Sequence, residues 1–451
     1  MDLDAVLLSR IQFAFTIGFH ILFPTLTIGL ASFLLLAEIQ WQRTRDSEWK
    51  SLYRFWSKLF ALAFGMGVVS GVVLSYQLGT NWGGFSTATS NVVGPLLGYE
   101  VLTAFFLEAG FLGIMLFGWN RVSDGIHLLA TAMVALGTLI SAFWVLAANS
   151  WMHTPQGHTL VDGIFYVSDF RAVIFNPSFP YRFAHMAVAS YLTTALVVAA
   201  VSAVMVLRGR RERAVRYGLS YGLVLAALLA PLQVLIGDLH GLNVKQHQPI
   251  KVAAMEALWE TRRAAPFVVF AWPDMQAETN RYALEIPKAT SLILTHDPDG
   301  EVVGLRSVPP RDRPNVPIVF FAFRLMIGLA MVMLAVAWAG SWLLWRGTLL
   351  ERRGYLRLLA LSGPSGLIAV LAGWVVAESG RQPWVVQGLR RTADAVSPVA
   401  AGPVAASLAL FIVIYLALLA AFLFYAGTLV AKGPQAEAEA PAPKLQMAAR
   451  S

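Results

Sequence analysis

Long apolar runs separated by short polar segments extend along the chain from its first residues to about position 430. Runs of about twenty uncharged residues are long enough to cross the ~30 Å core of a bilayer as helices. A transmembrane β-barrel is excluded, because barrel strands alternate apolar and polar residues. The pattern therefore predicts an all-α polytopic membrane protein with about nine spans, roughly Leu7–Ile39, Phe55–Leu78, Val92–Trp119, Ile126–Asn149, Arg182–Leu207, Tyr217–Leu239, Ile318–Trp345, Leu358–Ala377 and Val404–Val430.

Basic residues in the short loops predict the orientation of the spans. Arginine and lysine cluster after spans one, five and seven, whereas the loop 79–91 after span two carries neither. Because basic residues concentrate in cytoplasmic loops, we expect the amino terminus outside and the carboxyl terminus in the cytoplasm. The chain then divides into spans one to six (1–239), a long outer loop (240–317), spans seven to nine (318–432) and an Ala-, Pro- and Glu-rich cytoplasmic tail (433–451), which we expect to be disordered.

The composition agrees with a membrane protein and limits the kinds of cofactor site that the chain can form. The chain is 57% hydrophobic and 13% charged, with a net charge of +8 and a mean hydropathy of +0.62. The positive charge lies at membrane edges and does not indicate nucleic-acid binding. The absence of cysteine excludes disulfides, iron–sulfur clusters, thiolate-ligated haem and the C-x-x-C-H attachment site. Any haem would need histidine, methionine or carboxylate ligands.

A carboxylate and an arginine end an otherwise apolar run near position 380, where Trp374 is followed by Glu378 and Arg381. An ionisable group in the membrane costs roughly 2.5–3.5 kcal/mol, so Glu378 is expected to have a partner. A carboxylate can ligate haem iron, and an arginine can pair with haem propionates. Alternatively, Glu378 and Arg381 pair only with each other.

Side chains of haem-ligating type recur at a common predicted depth in the outer half of the membrane. A lone histidine in a span can instead serve as an interhelical hydrogen bond, and a lone methionine as core packing. Their coincidence on five spans favours a cofactor over these alternatives, with no such residue on spans two, six and nine. The residues are His20, Glu100, His185, Met326 and Glu378.

Polar residues on spans three and four suggest a route for protons. Glu100 and Glu108 are eight residues apart, which is about 12 Å along a helix. With His127 and Ser141 on span four they form a plausible relay from the cytoplasm. The alternative is that the two carboxyls remain protonated and join neighbouring helices by hydrogen bonds.

The outer loop contains a second candidate site. Lys251 and Glu256 follow Pro249 in a segment of helical spacing that ends near Trp259. The spacing predicts an amphipathic helix on the membrane surface, where both charges could face a polar headgroup or simply be solvated. The remainder, Thr261–Arg313, is rich in proline and charge and predicts irregular or strand-bearing structure.

Two segments resemble subunit I of the cytochrome bd family of quinol oxidases, and the likeness covers nearly the whole chain. They are GRQPW at 380–384 with LRRTADAVSP at 389–398, and the pair GD at 237–238 leading to QPIKVAAME at 248–256. The resemblance implies one low-spin haem b, one high-spin haem b and one haem d. It implies that His185 and Met326 ligate the low-spin haem. His20 and Glu378 would ligate the two high-spin haems, without an individual assignment, and Glu100 would be a further candidate iron ligand beside the oxygen-reducing one.

The resemblance also implies roles for the other candidates. Lys251 and Glu256 would bind quinol; Arg324, Trp374 and Arg381 would line haem pockets; and Glu108, His127 and Ser141 would carry protons. Asn120 departs from members that have an acid at this position, and the short outer loop is similar to the short-loop branch. A homologous second large subunit and often a single-span peptide are the implied partners, in the cytoplasmic membrane of a bacterium.

The expected function is that of a terminal oxidase subunit. Quinol would be oxidised at the outer face, and oxygen would be reduced to water with protons from the cytoplasm. Two alternatives remain open from the residues alone. One is a haem b electron conduit that does not reduce oxygen, and the other is an ion-coupled transporter that uses Glu100, Glu108 and Glu378 as substrate sites.

Overall fold

The computed structural model describes residues 4–435. Within that range, nine helical segments are long and apolar enough to cross a membrane, and each overlaps one predicted span. The predicted all-α, multi-pass fold is therefore confirmed. Most of the predicted disordered tail, from position 436 onwards, lies outside the described residues.

The helices and strands have the following bounds. The helices are α1 (Ala5–Thr44), α2 (Ser47–Thr80), α3 (Gly83–Glu100), α4 (Phe106–Phe117), α5 (Asp124–His153), α6 (Phe170–Ile174), α7 (Phe179–Leu207), α8 (Arg213–His247), α9 (Pro249–Met255), α10 (Ala289–Thr295), α11 (Val316–Trp345), α12 (Arg353–Leu361), α13 (Ser365–Ser379) and α14 (Ala401–Lys432). The strands are β1 (His158–Val161), β2 (Ile164–Val167), β3 (Arg262–Arg263), β4 (Phe267–Asp274), β5 (Thr279–Ile286), β6 (Glu301–Val302), β7 (Trp384–Val386) and β8 (Arg390–Arg391).

Capping residues make α1 and α2 an antiparallel pair. The Asp4 carboxylate accepts the backbone N–H of Val6 at 2.9 Å and so begins α1. Arg45, with φ of 54°, ends that helix in the left-handed conformation. Asp46 then begins α2 by accepting the N–H of Glu48 at 3.1 Å. Because only Arg45 and Asp46 separate the two helices, the chain reverses at once and the helices pack along each other.

Helix α1 lies at the centre of the bundle. It contacts α2, α5, α7, α13 and α14, and its carboxyl-terminal half is largely buried among them. Helices α7 and α8 form a second close pair, as do α11 and α13. The faces that these helices turn toward one another therefore enclose common internal spaces.

The third span contains a π-helical turn, Val101–Phe105, between α3 and α4. In a regular α-helix each residue turns by about 100°, so Glu100 and Glu108 would lie about 80° apart around the axis. A π-turn takes up one additional residue, which reduces this angle to about 20°. The irregularity therefore places both carboxyls on one face of the span.

The outer loop differs from its predicted form in two ways. Helix α8 continues to His247, past the predicted end of the span at Leu239. Helix α9 packs against α8 and α11 and is buried, with Lys251 only 3% exposed. The expected helix on the membrane surface was therefore wrong, and the predicted interfacial anchor Trp259 is itself buried. Helical spacing shows that a helix has a polar side, but not whether that side meets lipid headgroups or other protein groups.

Strands occur in the part of the loop where they were predicted. Strands β4 and β5 form an antiparallel hairpin, and the short β3 and β6 pair with each other. Glu278 at the hairpin end accepts hydrogen bonds from Arg306 at 2.9 Å and Arg313 at 2.6 Å. These ion pairs tie the hairpin to the segment that leads into α11.

Candidate functional site

One large cavity, of about 1570 Å³, is lined by most of the predicted site residues. Typical small-molecule pockets measure roughly 300–1,000 Å³, so this space exceeds the usual size for one ligand. Two of the predicted residues, Arg324 and His127, do not line it. Those that do are His20, Glu100, Glu108, Ser141, His185, Lys251, Glu256, Met326, Trp374, Glu378 and Arg381.

Glu378 at the end of α13 is held by donors from three directions. Its Oε1 accepts hydrogen bonds from Asn149 Nδ2 at 3.0 Å and His153 Nε2 at 3.1 Å. Its Oε2 accepts from Arg381 Nη2, and Arg182 lies 3.7 Å from Oε1. The pairing of Glu378 with Arg381 is thus present, but it is one contact among several. An ionised carboxylate has about four lone-pair sites, so three hydrogen bonds leave capacity for one further ligand.

His153 links Glu378 to Lys251 and was not among the predicted residues. Lys251 Nζ lies 2.9 Å from His153 Nδ1 and donates to Gln248 Oε1 at 2.7 Å. Because His153 Nε2 donates to the Glu378 carboxylate, its Nδ1 is the acceptor for Lys251. Burial lowers the pKa of Lys251 well below its usual value, with Arg182 adding to this effect. The lysine of the outer loop therefore shares one hydrogen-bonded chain with the carboxylate of α13.

His20 presents a free ring nitrogen to the cavity. The Ser70 hydroxyl donates to Met66 O at 2.8 Å, so at 2.9 Å it accepts from His20 Nδ1. This fixes the proton on Nδ1 and leaves the Nε2 lone pair for a metal, as in histidine ligands whose other nitrogen is hydrogen bonded. A Cβ at Gly71 would lie 3.2 Å from His20 Cε1, a tight contact that glycine avoids.

His185 and Met326 reach the cavity beside glycines on neighbouring helices. A Cβ at Gly237 would lie 3.3 Å from His185 Cε1, and a Cβ at Gly373 would lie 3.0 Å from Met326 Sδ. Within the described residues, the Gln233 amide is the hydrogen-bond partner of His185, with Nε2 at 3.2 and 3.3 Å from the two ring nitrogens.

Span six also contributes to this region, contrary to the expectation that it carries no residue of ligand type. The His240 ring on α8 lies 5.4 Å from the ring of His185. Helix α8 also supplies the Gln233 amide, the described partner of that histidine. The extension of α8 past the predicted span end is what brings His240 into the helix and toward α7.

Glu100, Glu108 and Ser141 line the same cavity, but His127 does not. Ser141 Oγ donates to Glu100 Oε1 at 2.8 Å, and Glu108 packs against Gly137 of α5. His127 instead contacts Glu38 of α1, with Nδ1 and Oε1 at 2.7 Å. Glu38 was missed, although an acid within an apolar span is itself the signal that identified Glu108.

Glu256, which lines the cavity, forms an ion pair with Arg324, which does not line it. Arg324 Nη2 donates to Glu256 Oε2 at 2.8 Å, and its Nε donates to Val268 O at 2.6 Å. Burial raises the pKa of Glu256, while the Arg324 guanidinium acts against this rise. Arg324 therefore acts on the cavity through Glu256 rather than by lining it.

The arginines of the cavity fit an anionic cofactor. Among the residues that the structure describes, the buried Nε and Nη1 of Arg381 and the buried Nε of Arg182 have no hydrogen-bond partner. Buried N–H groups without partners are costly, so these positions suit carboxylates brought by a ligand. Together with the free lone pairs of His20 and Glu378, they fit iron porphyrins with propionate groups.

Comparison with known proteins decides the family. The family described as cytochrome bd terminal oxidase subunit I matches residues 8–434. The chain belongs to this family. It is 33% identical to cytochrome bd-II ubiquinol oxidase subunit 1 of Escherichia coli (strain K12), over 96% of this chain and 98% of that protein. It is 35% identical to cytochrome bd ubiquinol oxidase subunit 1 of Bacillus subtilis (strain 168), over 94% and 92% of the two chains.

A solved structure agrees with this assignment. The bd oxidase from Geobacillus thermodenitrificans superposes with a TM-score of 0.90 at 32% identity, covering 96% of this chain and all of that one. The expected family and enzyme class, a cytochrome bd type terminal oxidase, are thus confirmed. Members of the family are haem-dependent membrane complexes that include a second subunit.

Proposed function

We propose that this chain is the haem-bearing, quinol-oxidising subunit of a terminal oxidase that reduces oxygen to water. The observation that carries the proposal is the convergence of His20, His185, Met326 and Glu378 on one cavity, where buried N–H groups of Arg182 and Arg381 have no hydrogen-bond partner among the described residues. The relatives in Escherichia coli and Bacillus subtilis are named ubiquinol oxidases. The matching enzyme class for this chain is quinol:oxygen oxidoreductase.

The ligand chemistry supports two kinds of haem site. His185 and Met326 would hold the iron of a low-spin haem b, which would supply electron transfer. His20 and Glu378 would each hold one high-spin iron, of haem b and haem d, with Glu100 as a further candidate ligand. When bound, these groups would supply electron transfer and an open iron position for oxygen. Arg381, Arg182 and Trp374 would hold the porphyrins by charge pairing and packing.

Lys251 and Glu256 are proposed to bind quinol. Both are buried and line the cavity from the outer loop, where a hydroxyl of the substrate can donate to the Glu256 carboxylate. Arg324 favours the ionised form of that carboxylate and thereby prepares it to accept a proton. Lys251 would hold the second quinol oxygen while remaining bonded to His153.

Protons for water formation are proposed to come from the cytoplasm through Glu108 and Glu100, with Ser141 orienting Glu100 by its hydrogen bond. The orientation with the amino terminus outside puts the quinol site and the proton source on opposite faces. Quinol protons would then leave outside while water-forming protons enter from inside. The setting is the cytoplasmic membrane of a bacterium, in a complex with a homologous second large subunit and, in some members, a single-span peptide.

A reduced-minus-oxidised absorbance spectrum of the purified complex, followed by oxygen consumption with quinol, tests the proposal. We expect haem b bands, a red-shifted chlorin band and quinol-dependent oxygen uptake. Haem b bands without the chlorin band or oxygen uptake would favour the electron conduit. A complex without any haem band would favour the transporter.

The quinol site has its own test. Lys251→Ala is expected to lower quinol oxidation while oxygen reduction with an artificial low-potential donor continues, because the lysine contacts substrate rather than iron. Lys288→Ala is the matched control, since Lys288 forms an exposed ion pair with Asp299 in the same loop. Equal loss of both activities in Lys251→Ala would assign this lysine a structural role.

A further inference from the structure

The β4–β5 hairpin of the outer loop carries apolar residues on both of its faces, although only one face is covered by the described residues. Val268, Ala271 and Pro273 of β4 are buried, the first two in a core cluster with α9 and α11. On the other side, Phe270 is 50% and Trp272 is 60% exposed. A half-buried antiparallel sheet normally places polar residues on its outer face. The apolar outer face therefore indicates contact with an apolar environment.

The second strand of the hairpin extends this face. Leu284 of β5 lies opposite Phe270 in the strand register and is 62% exposed. Directly paired residues lie on the same side of a sheet, as do residues two apart along one strand. Phe270, Trp272 and Leu284 thus form one exposed apolar surface, which we call the outer hairpin face.

The outer hairpin face continues onto the exposed side of α11. The ring of Phe321 lies 6.2 Å from that of Phe270 and 5.5 Å from that of Trp272. Ile318 and Leu325 lie three positions before and four positions after Phe321, on the same side of the helix, and both are exposed. In a membrane span this is the side expected to face lipid. The hairpin therefore extends a surface that lipid is expected to cover.

The length of α11 gives the depth of this contact. Trp342 and Trp345 are exposed near its inner end, followed directly by Arg346, as is typical of residues at the cytoplasmic interface. About twenty helical residues cross the ~30 Å hydrocarbon core, so the core begins near Ala322, twenty residues before Trp342. Phe321 then lies at the outer boundary of the hydrocarbon. The rings that contact it lie at the same level.

We propose that the outer hairpin face lies in the outer leaflet, between lipid headgroups and acyl chains, and anchors the outer loop to the membrane. Tryptophan and other aromatic residues favour this boundary. The hairpin then takes the interfacial position that the sequence analysis assigned to α9.

Charged residues at the end of the hairpin are compatible with this position. Asp274 forms an ion pair with Arg281 at 2.5 Å, and Glu278 forms one with Arg313 at 2.6 Å. A charge that is paired with a protein group costs less near lipid than an unpaired one. The anchor therefore needs no unpaired charge from these groups in the interface.

The anchor would also hold an entrance to the large cavity against lipid. Ile318 of α11 and Phe267 of β4 line this cavity together with Lys251 and Glu256, and Ile318 is exposed. The cavity thus reaches the surface beside the outer hairpin face. This part of the inference rests on the proposed function, in which a quinol dissolved in the membrane must reach Lys251 and Glu256.

The test of the anchor uses a spin label on the whole complex in liposomes. The chain contains no cysteine, so Leu284→Cys supplies one attachment site in this chain, and the labelled wild-type complex gives the background from other chains. We expect the label at 284 to be accessible to oxygen and protected from a water-soluble nickel chelate. Asp299→Cys is the matched control, because Asp299 is similarly exposed, at 58%, but pairs with Lys288 in the same loop. Its label should be accessible to the chelate.

Two outcomes would overturn the anchor. If the nickel chelate reaches the labels at 284 and 299 equally, the outer hairpin face lies in water. If the label at 284 is protected from both oxygen and the chelate, a protein chain covers this face instead of lipid. Neither measurement depends on haem or on activity, so the result stands whether or not the complex is an oxidase.

The entrance has a separate test. The double variant Phe270→Ser, Trp272→Ser is expected to raise the KM for a long-chain quinol in liposomes several-fold, with an unchanged haem spectrum and an unchanged KM for a short-chain, water-soluble quinol. Thr279→Ala, at an exposed position at the start of β5, is the control.

An unchanged KM for the long-chain quinol would exclude the hairpin from quinol entry. If the double variant loses its haem spectrum, Leu284→Ser provides the second measurement, because Leu284 makes no aromatic ring contact. A wild-type complex that oxidises neither quinol would refute the proposed function, while the spin-label result would still decide the anchor.

Discussion

At the scale of single residues, the site combines positions that the sequence identifies with others that it does not. Lys251 and Glu378 could be predicted, because charged residues beside apolar helices need partners. His153, which joins them, lies 98 residues from one and 225 from the other. It follows the predicted end of span four at Asn149, and nothing in its local sequence distinguishes it from a surface histidine. It gains a role only in the folded structure, where its side chain contacts Lys251 of α9 and Glu378 of α13.

His153→Leu should weaken both ends of this chain of hydrogen bonds. Glu378 would lose a donor and Lys251 an acceptor, so we expect an altered high-spin haem spectrum and a quinol KM raised several-fold. Difference spectra and steady-state kinetics measure the two effects. His296→Asn, at an exposed position in the outer loop, is the control. A wild-type spectrum and KM in His153→Leu would show that Asn149 and Arg381 suffice to hold Glu378.

Met326→Leu tests a proposed iron ligand without changing the volume of the side chain. We expect the low-spin haem b signal to be lost while the protein still inserts, because leucine offers no lone pair. Met205→Leu is the matched control: Met205 is buried on α7 away from the cavity, and such swaps usually cost less than about 1.5 kcal/mol. An intact low-spin signal in Met326→Leu would make Met326 a packing residue.

At the scale of elements, helix positions were predictable and their surroundings were not. Apolar runs locate the spans because the bilayer sets their length. Helix α9 was predicted as a helix but assigned to the wrong environment, since its burial depends on the β4–β5 hairpin and α11. The charged side chains in and next to α9 contact other protein groups. The pH dependence of quinol oxidation should therefore depend on those contacts.

Arg324→Gln should shift the pH dependence of quinol oxidation. Burial raises the pKa of Glu256 and Arg324 lowers it, so removing the guanidinium leaves burial unopposed and the pKa rises further. If ionised Glu256 accepts the quinol proton, activity grows as pH rises through that pKa. The acid limb of the profile should therefore move to higher pH in the variant. A limb that stays in place would show that another group receives the proton.

At the scale of the whole molecule, the cavity of about 1570 Å³ and a smaller one of about 160 Å³ lie toward opposite ends of the bundle. The large one holds the candidate haem and quinol residues, and the small one contains His127. The sequence predicts the topology that orders these residues by depth. It does not predict that His127 would contact Glu38 instead of Glu108, because the choice of partner depends on how α1 packs against α5.

Glu108→Gln tests whether the two ends are connected by protons. Glutamine keeps the shape and hydrogen bonding of Glu108 but cannot ionise, so we expect oxygen consumption to collapse while the haem spectrum remains. Proteoliposomes should lose acidification of the quinol side in proportion. Glu351→Gln, a change at an exposed position between α11 and α12, serves as control. Full turnover in Glu108→Gln would mean that protons enter through the partner subunit.

The π-turn at Val101–Phe105 makes the third span tolerant to a change in length that most helices would not accept. Deleting one residue there, such as Thr103, would convert the turn to regular α-helix and still leave the two carboxyls about 20° apart. Inserting one residue would instead rotate Glu108 by about 100° around the helix axis, so that it would no longer share a face of the span with Glu100. If the deletion variant retains oxygen uptake and the insertion variant loses it, the additional residue of the π-turn is dispensable, whereas the alignment of the two carboxyls is not.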